Sequence, residues 1–215
     1  GGVFPELASR AHLEAMLPII EKVLKDANVV PSKLEAIGVT RGPGLMGSLL
    51  VGLSTAQALG MAWDLPVHGI NHLRGHICRV NLEDKRLEYP ALVLLVSGGH
   101  TLLAYVRDKK SYELMGTTRD DSVGECYDKV ARTLGLGMPG GPALDRMALT
   151  GEPSIKFPRP MIKSGYEFSF SGLKSSVARY VETYNDFNIN DVSASFVAAC
   201  IDVLSNKVLR AVEDN

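Results

Sequence analysis

One run of sequence constrains the fold more than any other: "LEAIGVTRGPGLMGSLLVGLSTAQALGMAWDLPVHGI", residues 34–70. It reads as a short strand, a glycine turn, a helix of small residues and a second short strand. A crossover helix between two strands brings them back side by side and parallel, because a tight hairpin cannot reverse such a connection. This stretch therefore places the chain in the α/β class.

The turn itself, "GPGLMG" with Gly42, Gly44 and Gly47, matches GxGxxG. Three readings compete: a dinucleotide site with Asp64 as the ribose partner, a nest of backbone amides near a ligand, and a tight turn with close helix packing assisted by Gly52 and Gly60. Asp64 falls at the end of the helix rather than at the tip of the next strand, and Pro43 occupies a turn position. Both facts favour packing.

Upstream, Leu13, Met16, Leu17, Ile20 and Leu24 recur at helical spacing over residues 11–28, with Pro18 expected to bend or weaken the helix. A charged seam, "NLEDKRLEYP" at 81–90, divides the chain. Beyond it "ALVLLVS", "TLLAYVR" and "YELMGTT" read as three consecutive strands, a hairpin or meander. Helices are expected at 123–135, 142–150, 173–185 and 191–212. The division predicts two regions, 1–88 and 89–215.

Five stretches carry candidate chemistry. In "GINHLRGHI", His72 and His76 stand four apart on one face of a helix that Asn71 can cap. They could meet at one ion, or be ordinary surface histidines. Leu73, Arg74 and Gly75 lie between them, so the glutamate base of an HExxH protease is missing. A catalytic metal also needs a third protein ligand.

"LLVSGGHT", Leu94–Thr101, is a hairpin turn or an anion-binding turn, to which Ser97 and Thr101 could add hydroxyls and His100 an orienting ring. "DDSVGECYDKVARTLGLGMPGGPALD" sets Asp121, Glu125, Asp128 and Asp145 among Gly124, Gly137, Gly140 and Gly141. These acids form a solvated face, or Asp128 accepts hydrogen bonds from a ribose. Ser171-x-x-Lys174 has the spacing of a serine–lysine nucleophile but lacks the companion motifs, so a serine-capped helix start is the expected reading. "IKFPRPMIKSGYEF" interleaves Lys156, Arg159 and Lys163 with Phe157, Tyr166 and Phe168, as RNA-contacting surfaces do and as solvated loops also do.

Charge excludes little beyond the obvious. With 23 basic and 24 acidic residues, the composition does not point to a nucleic-acid binder or a membrane-surface protein, although a local basic patch remains compatible. Cys78, Cys126 and Cys200 are odd in number and scattered, which suggests a reducing compartment without a disulfide framework. No apolar run reads as a membrane span. The beginning "GGVFPELASR" lacks an initiator methionine, and a fragment is expected.

Taken in order, "GGVFPELASRAH", "GPGLMGSLLVG", "NHLRGHI", "LLVSGGHT", "GECYDKVARTLGLGMPGGPALD", "FPRP" and "FSFSGLKSSV" closely resemble the TsaD family. These are the tRNA adenosine threonylcarbamoyltransferases, formerly labelled O-sialoglycoprotein endopeptidases. The resemblance implies an α/β, two-lobed actin-like ATPase (ASKHA, ribonuclease H-like) fold, incomplete in this chain. It implies transfer of threonylcarbamoyl from threonylcarbamoyl-adenylate to N6 of the adenosine following the anticodon, in tRNAs reading ANN codons. A metalloprotease and a non-catalytic scaffold are the alternatives.

By the same resemblance, His72 and His76 are metal ligands for one divalent ion, Fe2+ or Zn2+. Leu95, Val96, Ser97, Gly98 and Gly99 are a nucleotide-contacting turn, and Asp128, Gly141 and Asp145 hold the nucleoside. The third ligand, an aspartate in a "CTDN"-like segment, is not in this sequence, nor is a "GIETSCDDT"-like strand. The fragment alone is therefore expected to bind metal poorly and to catalyse little. Implied partners are tRNA, threonylcarbamoyl-adenylate and, in a bacterium, a TsaB-like paralogue and a TsaE-like ATPase. The implied location is the cytoplasm, with an organelle as the alternative, and no membrane.

Overall fold

The computed structural model describes residues 4–79 and 87–215. Most of the charged seam at 81–90 lies outside them. The chain divides into two compact units, Gly2–Arg86 and Leu87–Asn215. Strands and helices alternate in the first, and the second joins a sheet to four helices, so the α/β class holds in both.

In the first unit, helix α1 (Pro5–Asp26) packs on α2 (Met46–Trp63), which crosses between β1 (Ile37–Gly42) and β2 (Val67–Asn71). The strands pair in parallel, Ile37 opposite Val67 and Gly42 opposite Asn71. Helix α1 begins earlier than its apolar spacing suggests and runs unbroken through Pro18. The missing Pro18 N–H costs one backbone bond, and the turns on its N-terminal side, from Pro5 onward, are not lost with it.

The glycines of α2 explain the crossover. A Cβ on Gly60 would stand 2.5 Å from Val67 Cγ2, and one on Gly47 would overlap Ser9 Oγ. Gly42 and Gly44 hold φ of 147° and 158°, backbone that side chains rarely tolerate. Asp64 is the left-handed C-cap of α2, with φ 55°. The turn and its acid are thus accounted for by helix packing and capping. A short helix, α3 (His72–Arg79), follows β2 directly.

In the second unit, β3 (Ala91–Val96), β4 (Thr101–Val106) and β5 (Tyr112–Thr117) form an antiparallel meander. The helices are α4 (Val123–Thr133), α5 (Gly140–Ala148), α6 (Ser171–Thr183) and α7 (Ile189–Asp214). Each of α5, α6 and α7 starts two residues before its apolar pattern; α5 and α6 are capped by remote acids, Asp128 and Asp120, and α7 by Asn188. The core joins Leu103 of β4 to Val123, Cys126 and Val130 of α4, to Phe168 and Phe170, and to Phe196 and Val203 of α7.

Helix α7 corrects the reading that no run approaches a membrane span. Among the described residues it has the length and composition of one, with a mean hydropathy of 1.5, and half of that window is buried within the protein. Its apolar face is the floor of this core, and the same helix buries Ser193, Ser195 and Lys207.

Candidate functional site

The best-formed constellation in the first unit lies where the parallel strands end. Asn71 closes β2 and caps α3: its side-chain oxygen accepts from Arg74 N at 3.1 Å. That bond satisfies one of the orphan donors of the first helical turn. It also fixes where the helix starts, and so which way residues 72 and 76 point. Their rings meet edge to face with centroids 4.5 Å apart, and the two Nε2 atoms stand 3.1 Å apart. His72 is half-buried and His76 exposed.

That separation suits a shared cation. Two Zn–N bonds of about 2.0–2.1 Å span 3.1 Å when they meet at an angle of roughly 100°, near tetrahedral. The donor set therefore fits the two-imidazole part of a metal centre. Among the described residues no cluster of three or more histidine, cysteine, aspartate or glutamate side chains completes it. The position is also apt, since ligands in α/β folds bind beyond the carboxyl ends of parallel strands.

In the second unit the 97–99 turn joins β3 to β4. Ser97 N donates to His100 O at 2.8 Å, and the Ser97 hydroxyl accepts from His100 N at 2.9 Å and Gly99 N at 3.3 Å. Thr101 is fully buried, and its hydroxyl accepts from Val123 N at 2.9 Å. Ser97 Oγ thus accepts hydrogen bonds within the turn, and Thr101 Oγ1 holds the head of α4. Leu95 is half-buried, Val96 is exposed, and Gly98 and Gly99 lie open to solvent. A Cβ at Gly98, Gly99 or Gly141 would meet nothing within 4 Å, and none of the three has a positive φ. Neither packing nor backbone conformation demands glycine at these positions.

Asp128 faces α5. Its carboxylate accepts from Gly140 N at 3.1 Å and so caps that helix from α4. Gly140 must be glycine, because a Cβ would stand 2.5 Å from that of Ala131. Gly141 follows it and Asp145, exposed, lies one turn on. The structure thus brings Asp128 to the head of the helix that carries Gly141 and Asp145.

Two sequence candidates resolve into structural roles. Ser171 and Lys174 do not form a nucleophile pair: Ser171 Oγ donates to Asp120 at 2.7 Å, and Lys174 Nζ to Asp121 at 2.5 Å. Asp120, rather than a serine, caps α6. It also accepts from Phe170 N at 2.8 Å and Ser169 Oγ at 2.6 Å. Burial alone would raise its pKa, but these hydrogen bonds outweigh burial and hold it at about 2, below the ordinary 3.8.

The basic-aromatic segment is likewise anchored inward. Phe157 and Phe168 are core residues. Arg159 grips Asp202 at 2.8 Å and the Phe157 carbonyl at 2.7 Å, and Tyr166 donates to Asp214. Only Lys156 and Lys163 of the three basic candidates remain exposed. Lys207, buried completely, donates to the carbonyls of Met161, Ser164 and Gly165 at 2.5, 2.5 and 2.9 Å. Burial pushes its pKa down. Cys126 and Cys200 are buried free thiols, and burial raises Cys126 to about 12, which leaves it inert.

Asp120 and Lys207 escaped notice in the sequence because both act across more than forty residues. Ser122 could have been found there, since Ser122-x-x-Glu125 carries a capping signal.

Parallel strands that bring two imidazoles together, and a second unit in which a meander packs with four helices, make this an α/β protein. The chain belongs to the TsaD family, tRNA N6-adenosine threonylcarbamoyltransferase, whose model matches residues 1–215. A curated relative from Bacillus cereus with that name is 48% identical over 218 residues, covering 99% of this chain and 63% of its own length. One from Halalkalibacterium halodurans is 48% identical, covering 100% of this chain and 64% of its own length. The chain therefore spans under two thirds of the length of these relatives. YeaZ from Pseudomonas aeruginosa, a solved structure, aligns over 85% of this chain and 83% of its own at 16% identity and TM-score 0.40.

Proposed function

We infer that this chain takes part in transferring a threonylcarbamoyl group from threonylcarbamoyl-adenylate to N6 of the adenosine following the anticodon, in tRNAs reading ANN codons. The observation that carries the reading is the convergence of His72 and His76 at 3.1 Å, within a chain matched along its length by the TsaD model.

His72 and His76 would hold one divalent ion, Fe2+ or Zn2+, with a carboxylate from outside the described residues. Such an ion, when bound, polarises a carbonyl oxygen or anchors a carboxylate of the substrate. The rest falls to the protein. The 95–99 turn and the Asp128–Gly141–Asp145 group would seat the adenylate, with room for it above Gly98, Gly99 and Gly141. The adenine amine then attacks the threonylcarbamoyl carbonyl, the bond to the phosphate oxygen breaks, and AMP leaves. Alignment of the two substrates contributes up to about 7–11 kcal/mol in well-oriented reactions. A TsaB-like paralogue and a TsaE-like ATPase are the expected partners, and the cytoplasm the expected location.

The protease alternative lacks its base, since Leu73, Arg74 and Gly75 separate the histidines. The test is complementation. A bacterial strain depleted of its own threonylcarbamoyltransferase should regain threonylcarbamoyladenosine in its tRNA, read by mass spectrometry, when given the complete open reading frame that encodes this chain. The His72→Ala, His76→Ala form should not restore it. Unmodified tRNA despite expression, or equal restoration by the double variant, would contradict the reading.

A further inference from the structure

The 97–99 turn has little of its own to hold it. Gly98 and Gly99 are exposed and carry no side chains, and a Cβ on either would meet nothing within 4 Å. Ser97 staples the turn to itself through Gly99 N and His100 N, but that does not fix its tilt on the sheet. A two-glycine turn has much backbone freedom to lose before it can present a defined geometry.

The head of α4 supplies the missing constraint in three ways. Ser122 is 2% exposed. Its hydroxyl donates to Gly98 O at 2.7 Å while accepting from Glu125 N at 3.1 Å, so both of its roles are used at once. Val123 N is held by Thr101 Oγ1 just beyond the turn, at 2.9 Å. At Gly124 the turn and the helix touch backbone to backbone: a Cβ there would stand 2.6 Å from Ser97 O and 2.8 Å from Gly98 Cα. No flexible side chain could yield, so alanine must drive the turn and α4 apart.

We propose that Ser122 and Gly124 are positioning residues for ligand binding at the 97–99 turn, acting through its backbone. The peptide group is planar, so pinning the Gly98 carbonyl also sets the direction of the Gly99 N–H. The same helix carries Asp128, four residues past Gly124 and about 6 Å along its axis. One rigid element thus sets both the turn and the acid that caps α5. This rests on the reading of the turn as nucleotide-contacting.

The experiment uses AMP as probe and calorimetry of the 215-residue chain. Ser122→Ala and Gly124→Ala should each weaken AMP binding about five- to ten-fold, the scale of one lost hydrogen bond. Gly151→Ala is the control, because its Cβ would stand 2.0 Å from Asn190 O, a backbone clash tighter than that at Gly124, at the α5–α7 junction. It should lower the Tm at least as much as Gly124→Ala and leave AMP affinity unchanged. If all three variants weaken binding alike, or none does, the proposal is overturned. If the unaltered chain does not bind AMP, the nucleotide reading itself fails. Amide exchange then decides the clamp: faster exchange at Gly99 and His100 in Ser122→Ala supports it, and unchanged exchange overturns it.

Discussion

The two units hold their candidate residues by different means. Between Phe4 and Arg79 only Ala56, Gly60 and Ile77 are buried. Leu13, Leu17, Leu50 and Met61 are exposed, Met61 to 87%. Parallel strands are ordinarily covered on both faces, and here neither β1 nor β2 has a buried residue. The histidine pair is nevertheless well defined, because what aims it is local: the Asn71 cap, one turn of helix and the β1–β2 register. In the second unit a packed core does the aiming. The 97–99 turn is braced from Ser122, α6 is capped from Asp120, and the 161–165 loop is tied down from Lys207. Function-bearing geometry can be set by neighbours in sequence or by neighbours in space, and the two respond differently to mutation.

Lys207→Met is the hardest blow to the second arrangement. It takes a charged donor from three carbonyls; Met161 O keeps Ser164 N at 3.3 Å and Gly165 O keeps Arg210 Nη1 at 2.8 Å, so Ser164 O loses most. Hydrogen bonds to a charged group contribute about 1.5–3 kcal/mol, so a loss on the order of 2 kcal/mol is expected in denaturant unfolding. The cap at Asn71 should keep its exchange protection meanwhile. Equal loss at both would dissolve the contrast.

A smaller effect sharpens the same contrast through pH. Asp120 has a folded pKa of about 2, lowered from 3.8. Its contribution is therefore present in full above the unfolded value, near pH 4, and is lost as pH falls toward 2. Asp120→Asn should lower the Tm at pH 6 and leave it nearly unchanged at pH 2. A constant Tm difference across that window would contradict the capping role.

The smallest effect has the opposite sign. Gly75 lies inside α3 between the histidines, with no positive φ, and a methyl group added to its Cα would meet nothing within 4 Å. Gly75→Ala should stabilise that helix by about 0.5–1 kcal/mol. If a ligand approaches that face closely, the gain comes with weaker metal-dependent substrate binding, measurable by calorimetry.

What could be read in the sequence follows the same division. The strand–turn–helix–strand run at 34–70, the meander at 91–117 and the Asn71-capped histidine helix depend on short-range signals, and all three are visible in residue order. The serine cap expected at 171 is replaced by Asp120, and Arg159 of the aromatic-basic run is held by Asp202, because spacing is silent about remote partners. Asp120, Asp121 and Asp202 claim Ser171, Lys174 and Arg159 from more than forty residues away. Likewise residue order does not show that the Ser97 and Thr101 hydroxyls accept backbone hydrogen bonds from the turn and from α4. Helix starts slipped by two residues wherever the cap came from elsewhere, as at α6.

The central claim, that the rings at 72 and 76 share one cation, is tested most directly by following both imidazoles by nitrogen NMR during titration with Zn2+. The account predicts that both Nε2 resonances move together with a single apparent Kd, even if that Kd is weak, and that His72→Ala abolishes the change at His76. Movement of one ring alone, or of the two at clearly different Zn2+ concentrations, would contradict it.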